Sequence, residues 1–139
     1  MNSKQIGNIT EVETMLSFMK LGYNVLIPYG DCTRYDYIID DNKGNFIKIQ
    51  CKTSRTNDDG KTFFFSSRSS NRKEGKIIHH RYSKNEIDYF ATTFNNKVYL
   101  VPVNECGDEK KLRIVSTKNQ NKGISWAKDY EFENIIKNW

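Results

Sequence analysis

Two β-rich runs, Arg34–Asp40 and Asn45–Ser54, are separated by only Asp41-Asn42-Lys43-Gly44, and no other feature limits the fold of this chain so tightly. A short connector of Asp, Asn and Gly tolerates left-handed backbone and closes a β-hairpin. Strand side chains alternate between faces, so Gln50 and Lys52 project to the same side. On the partner strand Asp36 shares its face with Ile38 and Asp40, while Tyr35, Tyr37 and Ile39 point the other way. Antiparallel pairing therefore sets Asp36 beside Gln50 and Lys52. A carboxylate, an amide oxygen and an ammonium group fall within one patch.

The rest of the chain supplies elements around that hairpin. Residues 4 to 21 read as a helix with Ile9, Val12, Leu16 and Met19 as its expected buried face, stopped by Gly22. Tyr23–Pro28 reads as a short strand, followed by a turn at Tyr29-Gly30-Asp31, and Thr62–Ser66 reads as another strand. Lys76–Glu86 is expected to hold a loop and one helical turn. Ile87–Thr93 and Lys97–Val103 form a second hairpin around Asn95-Asn96. Leu112–Ser116 is expected as an edge strand, residues 117–123 as a loop and Tyr130–Trp139 as a C-terminal helix. That order predicts an α/β domain, a central mixed β-sheet flanked by helices, and 139 residues suffice for a single domain over 1–139.

Composition narrows the partners. No apolar run approaches the ~20 residues of a membrane span, and the opening Met1-Asn2-Ser3-Lys4-Gln5 does not lead into a signal-peptide core, so a cytoplasmic location is expected. Cys32, Cys51 and Cys106 are odd in number and lack zinc spacing, and all three are expected to be reduced. The net charge is +5. It concentrates between Arg55 and Lys84, where eight basic residues face only Asp58, Asp59 and Glu74. A solvated loop explains such a run as well as a phosphate-binding one does, unless chemistry nearby has a use for phosphate.

The hairpin patch provides that chemistry. A carboxylate and an amide carbonyl are hard oxygen donors suited to Mg²⁺. A lysine beside such an ion can orient or help deprotonate a water for attack on phosphorus. On the helix, Lys4, Gly7 and Glu11 lie on one stripe, away from Ile9, Val12, Leu16 and Met19. Glycine inside a helix costs about 1 kcal/mol relative to alanine. Gly7 therefore asks for a reason, which close approach to the sheet or to DNA would supply. Glu13 is a rival for Glu11 but lacks a glycine one turn before it. The pair His79-His80 has no partner histidine and suits surface or DNA-backbone contact better than metal ligation. Phe63-Phe64-Phe65, Trp126 and Trp139 read as packing residues.

Gly7-x-x-x-Glu11, then Asp36, then Gln50-x-Lys52 resembles the PD-(D/E)XK nuclease superfamily. Glu86-Ile-Asp-Tyr-Phe-Ala91 and Val98-Tyr-Leu-Val-Pro102 extend the likeness toward a small branch related to a group I intron homing endonuclease. The glycine–glutamate helix is also similar to that of Holliday-junction resolvases. The resemblance implies a restriction-endonuclease-like core and metal-dependent hydrolysis of DNA phosphodiesters, site-specific in the leading reading and junction-specific in the alternative. A catalytically inactive DNA-binding domain of the same fold is the third reading. By resemblance, Glu11, Asp36, Gln50 and Lys52 form the catalytic set, with Mg²⁺ (Mn²⁺ substituting) held by Asp36, Gln50, the carbonyl of Cys51 and Glu11. Lys52 would position the attacking water.

Two positions depart from the superfamily pattern. Tyr35 stands where a proline usually precedes the aspartate, and Gln50 replaces the usual acid and removes one negative charge. Double-stranded DNA is the expected partner, contacted by Arg55, Arg68, Arg72, Lys73 and Arg81, with Arg34 placed either to touch phosphate or to flank its strand. One site per small chain and two strands to cut imply a homodimer or homotetramer.

Overall fold

The computed structural model describes residues 1–57, 59–115 and 123–139. Helix α1 (Ser3–Lys20) leads into β1 (Asn24–Leu26), β2 (Tyr37–Asp40) and β3 (Phe46–Cys51). Then come β4 (Arg55–Thr56), β5 (Thr62–Ser66), β6 (Arg68–Lys73) and β7 (Lys76–Arg81). The chain closes with β8 (Tyr89–Phe94), β9 (Lys97–Pro102), β10 (Glu109–Arg113) and α2 (Phe132–Ile136), with 3-10 turns at Val103–Glu105 and Ala127–Tyr130.

The central sheet runs β1-β2-β3-β8-β9. It is mixed because β3 and β8 pair in parallel while the other neighbours are antiparallel. A smaller sheet, β10-β5-β4, lies apart from it, and β6 and β7 form a separate two-stranded ribbon. The β2–β3 hairpin forms as expected, in the register Tyr37 opposite Ile49 and Ile38 opposite Lys48. Its turn is held by Asp41, whose carboxylate accepts from the Lys43 amide at 2.8 Å, the Asn45 amide at 3.1 Å and the Asn45 side chain at 2.7 Å. Asn95 and Asn96 both take positive φ, the left-handed pair that closes β8 onto β9.

Two apolar clusters fill the protein. One gathers Phe18 from α1, Phe132 from α2, and Tyr37, Ile39, Ile49 and Leu100 from the sheet. The other joins Phe63, Phe65 and Leu112 of the small sheet to Ile87, Phe90 and Val101. The phenylalanine run thus packs as expected, Phe63 and Phe65 inward and Phe64 half-buried. Trp139 also packs, stacked on Phe18 with ring centroids 5.6 Å apart.

Three expectations need correction. Helix α1 is turned about its axis relative to the apolar periodicity: it buries Thr10, Thr14 and Phe18, while Ile9, Val12, Leu16 and Met19 are exposed. Phe18 decides this, because it meets Tyr23, Tyr37, Phe132 and Trp139 in one aromatic cluster. The buried threonines cost little, since Thr10 and Thr14 donate to the helix carbonyls of Ile6 and Glu11 and Thr14 also accepts from the Tyr37 hydroxyl. Second, within the segment 76–86 expected to hold a loop and a helical turn, residues 76–81 are instead the strand β7, and the helical turn follows it, with the Glu86 and Ile87 amides donating to the Ser83 carbonyl. Glu74 and Gly75, with φ of 51° and 75°, close a tight ribbon turn whose Glu-Gly pair lacks the usual Asn-Gly or Asp-Gly signature. Third, α2 covers only Phe132–Ile136 of the expected Tyr130–Trp139, with a 3-10 turn ending at Tyr130 and Glu131 bridging to Tyr99 before it. Of the expected loop at 117–123, residues 117–122 lie outside the described residues, as does Ser116 at the end of the expected edge strand; of that strand only Leu112 and Arg113 fall in β10, which starts earlier, at Glu109, and Ile114 and Val115 lie beyond it.

Candidate active site

The end of β3 carries Gln50 and Cys51, with Lys52 directly after it, and the hairpin delivers Asp36 to them. The Asp36 amide donates to the Ile49 carbonyl at 2.8 Å, extending the β2–β3 ladder by one residue, so Asp36 lies across from Gln50. Its carboxylate accepts from the Cys51 amide at 2.7 Å. The Gln50 side-chain amide donates to the Cys51 carbonyl at 3.3 Å. Asp36, Gln50 and the Cys51 main chain are thereby joined in one short chain of hydrogen bonds.

Lys52 follows directly. Its amide donates to the Ala91 carbonyl at 2.9 Å, which keeps the parallel β3–β8 alignment, and its ammonium donates to the Arg68 carbonyl at 3.1 Å. The ammonium also lies 5.1 Å from the centre of the Tyr82 ring. Burial pushes the Lys52 ammonium below the usual lysine range, opposed by the Asp36 carboxylate and aided by the Arg34 charge. A partly desolvated lysine of this kind gives up its proton more readily than one in water.

Glu11 reaches the patch from α1, on the inward face that also bears Gly7, Thr10 and Thr14. Burial, and secondly the Asp36 charge, raise its carboxyl above the ordinary range. Asp36 is raised too, chiefly by burial, against the Cys51 amide and Lys52, which hold it down. Two half-buried carboxylates with partial compensation favour an added cation. The oxygens of Asp36, Glu11, Gln50 and the Cys51 carbonyl form an all-oxygen donor set, the kind that Mg²⁺ takes. Among the described residues no cluster of three or more His, Cys, Asp or Glu side chains gathers, so such a site depends on the amide and main-chain oxygens. The Cys51 thiol is directed to the other side, 3.2 Å from Thr14 Oγ1, and burial pushes it up to about 12, so it stays a neutral thiol.

Around the patch the basic residues divide into two groups. Arg34 is engaged at every nitrogen: Nε to Glu86 at 2.8 Å, Nη1 to Ser69 Oγ at 2.6 Å and Nη2 to the Arg81 carbonyl at 3.1 Å. Its guanidinium also sits 3.9 Å from the Tyr82 ring centre. At the root of the ribbon, Arg81 pairs with Asp108 at 2.8 Å and Arg68 approaches the same carboxylate at 3.9 Å. Arg72 and Lys73, near the ribbon tip, are exposed, as are Arg55 on β4 and the pair His79 and His80 on β7. His79 shares a hydrogen bond with Ser70 at 2.7 Å across the ribbon.

Sequence reasoning did not single out Tyr82, Ser69 or Thr14. Tyr82 follows a segment with no readable period, and only the fold shows that its ring lies under two cations. Gly7 shows no tight packing: a Cβ there would have Thr53 Oγ1 as nearest neighbour, at 3.9 Å, an ordinary contact. Approach of the helix to the sheet therefore does not explain this glycine.

Residues 1–133 match the model of the PD-(D/E)XK endonuclease family. The chain belongs to that family. Among solved structures, the endonuclease is similar to the bacterial homing endonuclease I-Ssp6803I, with a TM-score of 0.78 at 23% identity. The likeness covers 99% of this chain and 95% of that one, and it shows a common restriction-endonuclease-like fold. A search of curated proteins gives no match. No helix among the described residues is long and apolar enough to cross a membrane.

Proposed function

We propose that this endonuclease hydrolyses phosphodiester bonds of double-stranded DNA with Mg²⁺, for which Mn²⁺ substitutes, and that it does so at chosen sequences. The observation that carries the reading is the hydrogen-bonded chain from Asp36 through Cys51 to Gln50, with Lys52 next to it and Glu11 facing it from α1. Asp36, Gln50, the Cys51 carbonyl and Glu11 would hold the ion. When bound, it supplies Lewis-acid stabilisation of charge on the phosphate and lowers the pKa of a bound water. Lys52, held by the Arg68 carbonyl and depressed by burial, is suited to orient a water and pass a proton. Arg34 and Tyr82 act in support: the clamp from Glu86 and Ser69 keeps the Tyr82 ring beneath Lys52.

DNA contact is assigned to the ribbon. Arg72 and Lys73 extend free charge beyond the catalytic patch, and Arg68 and Arg81 anchor the root of the ribbon near Lys52. Two strands need two patches, so a homodimer or homotetramer is the working form. The test is Mg²⁺-dependent nicking of supercoiled plasmid. Wild type is expected to nick, and Asp36→Ala is expected to bind DNA with most of its affinity yet not cut, because basic contacts dominate binding. Nicking by a clean Asp36→Ala preparation refutes the site. Binding without cleavage by wild type leaves a DNA-binding domain of this fold. Preference for a four-way junction over linear duplex reassigns the enzyme to junction resolution, which the Gly7–Glu11 helix would also suit.

A further inference from the structure

The solvent side of α1 carries Ile9, Val12, Leu16 and Met19, each between 44% and 58% exposed, with Ile6, one turn before Ile9, continuing the stripe. At 100° per residue this stripe lies opposite Gly7, Glu11, Thr14 and Phe18, which face the sheet and the catalytic patch. These five apolar residues expose roughly 450 Å², within the range of the largest patch found on ordinary monomers. That is a little over half of the ~800 Å² that each partner contributes to a standard stable interface. Leu26 and Ile27, at the end of the edge strand β1, expose further apolar surface.

The spacing of the stripe says what fits it. Ile9, Val12, Leu16 and Met19 follow intervals of three, four and three, the a and d positions of a helix–helix seam. That series reads the same in both directions, so a copy related by a two-fold axis and running antiparallel presents matching residues. DNA is a poor occupant, since the stripe offers no cation among its apolar residues, whereas free cations lie on the ribbon. A lipid surface is also disfavoured, because membrane-surface helices present a strongly basic polar face and the other face of α1 is packed on the sheet.

We propose that α1 is the self-association seam of this protein: two copies pair antiparallel through this helix, Val12 against Leu16 and Ile9 against Met19. The seam lies on the side of α1 away from Glu11, so pairing leaves both catalytic patches open. It stands on surface and spacing alone and holds whatever the DNA reading becomes.

Sedimentation equilibrium of the full chain without DNA or metal tests this. Wild type is expected at a multiple of 16.3 kDa, and Val12→Glu and Leu16→Lys, each alone, at half the wild-type mass. Mixing those two variants should restore association, because antiparallel pairing sets the new carboxylate of one copy against the new ammonium of the other. Parallel pairing would not. Both sites are exposed in the single chain, so folding should survive, with far-ultraviolet circular dichroism as the check. If either variant unfolds, Val12→Gln combined with Leu16→Gln replaces it, glutamine being a good helix former, and the halved mass is again the expected result. A wild-type chain at 16.3 kDa, a folded variant that keeps the wild-type mass, or mixed variants that stay apart would each overturn the proposal.

Discussion

Replacing Gly7 by alanine separates folding from DNA approach. Gly7 lies inside α1, where alanine is favoured over glycine by about 1 kcal/mol. The added methyl would have Thr53 Oγ1 as its nearest neighbour at 3.9 Å, so nothing in the fold opposes it. Gly7→Ala should then stabilise the metal-free protein by about 1 kcal/mol. With about 2.1 cal/mol/K of unfolding entropy per residue, this raises Tm by about 3 °C for 139 residues. If the missing side chain makes room for DNA beside Glu11, the same methyl overpacks the complex. Overpacking costs about 1–3 kcal/mol, roughly a five- to 150-fold loss of affinity. Urea denaturation measures the first effect. Fluorescence anisotropy with labelled duplex in the absence of Mg²⁺ measures the second. A destabilised variant would refute the packing argument. A stabilised variant that binds and nicks DNA like wild type would refute the idea that this glycine exists for the DNA.

Three further outcomes are expected. Gln50→Glu should bind Mg²⁺ more tightly, since a carboxylate adds Coulomb attraction that an amide lacks; superimposable Mg²⁺ titrations of cleavage for wild type and variant would show that Gln50 does not meet the ion. Replacing Arg68, Arg72 and Lys73 together by glutamine should weaken binding to all sequences and flatten the slope of log affinity against log salt by up to about 2.7, nearer about 1.8 if Arg68 stays committed to Asp108. An unchanged slope would return the ribbon to a solvated surface. Asp36→Asn should stabilise the metal-free protein near neutral pH, because burial holds the Asp36 carboxyl above its unfolded value and its ionisation then opposes folding. That gain should vanish below the ordinary carboxylate range, where the group is protonated in both states, and melts of both proteins across acid to neutral pH would show a constant gap if the reasoning fails.

The candidate site was legible because its geometry is local. A four-residue Asp/Gly-containing turn forces an antiparallel pairing, and a period of two then assigns Asp36, Gln50 and Lys52 to one face without knowledge of anything beyond the hairpin. The same holds for the β8–β9 hairpin at Asn95-Asn96. The ribbon was not legible, because β6 is polar throughout, β7 places the adjacent Ile77 and Ile78 on opposite faces, and their turn is Glu-Gly, so neither alternation nor a strong turn signature marked them. The orientation of α1 could not be read either. Periodicity identifies which residues of a helix are apolar, but which face is buried depends on what the rest of the chain offers it. Here the sheet and the C-terminal segment together offer an aromatic pocket for Phe18 and polar partners for Thr14, contributed by Tyr37 and Cys51 of the sheet and by Phe132 and Trp139. Those partners are 19 to 121 residues away in the chain, so their joint claim on the helix exists only once the sheet has closed. The sequence by itself set the strand faces and the oxygen donors on them; only tertiary packing decided that Glu11 turns inward to meet them and that the apolar stripe turns out.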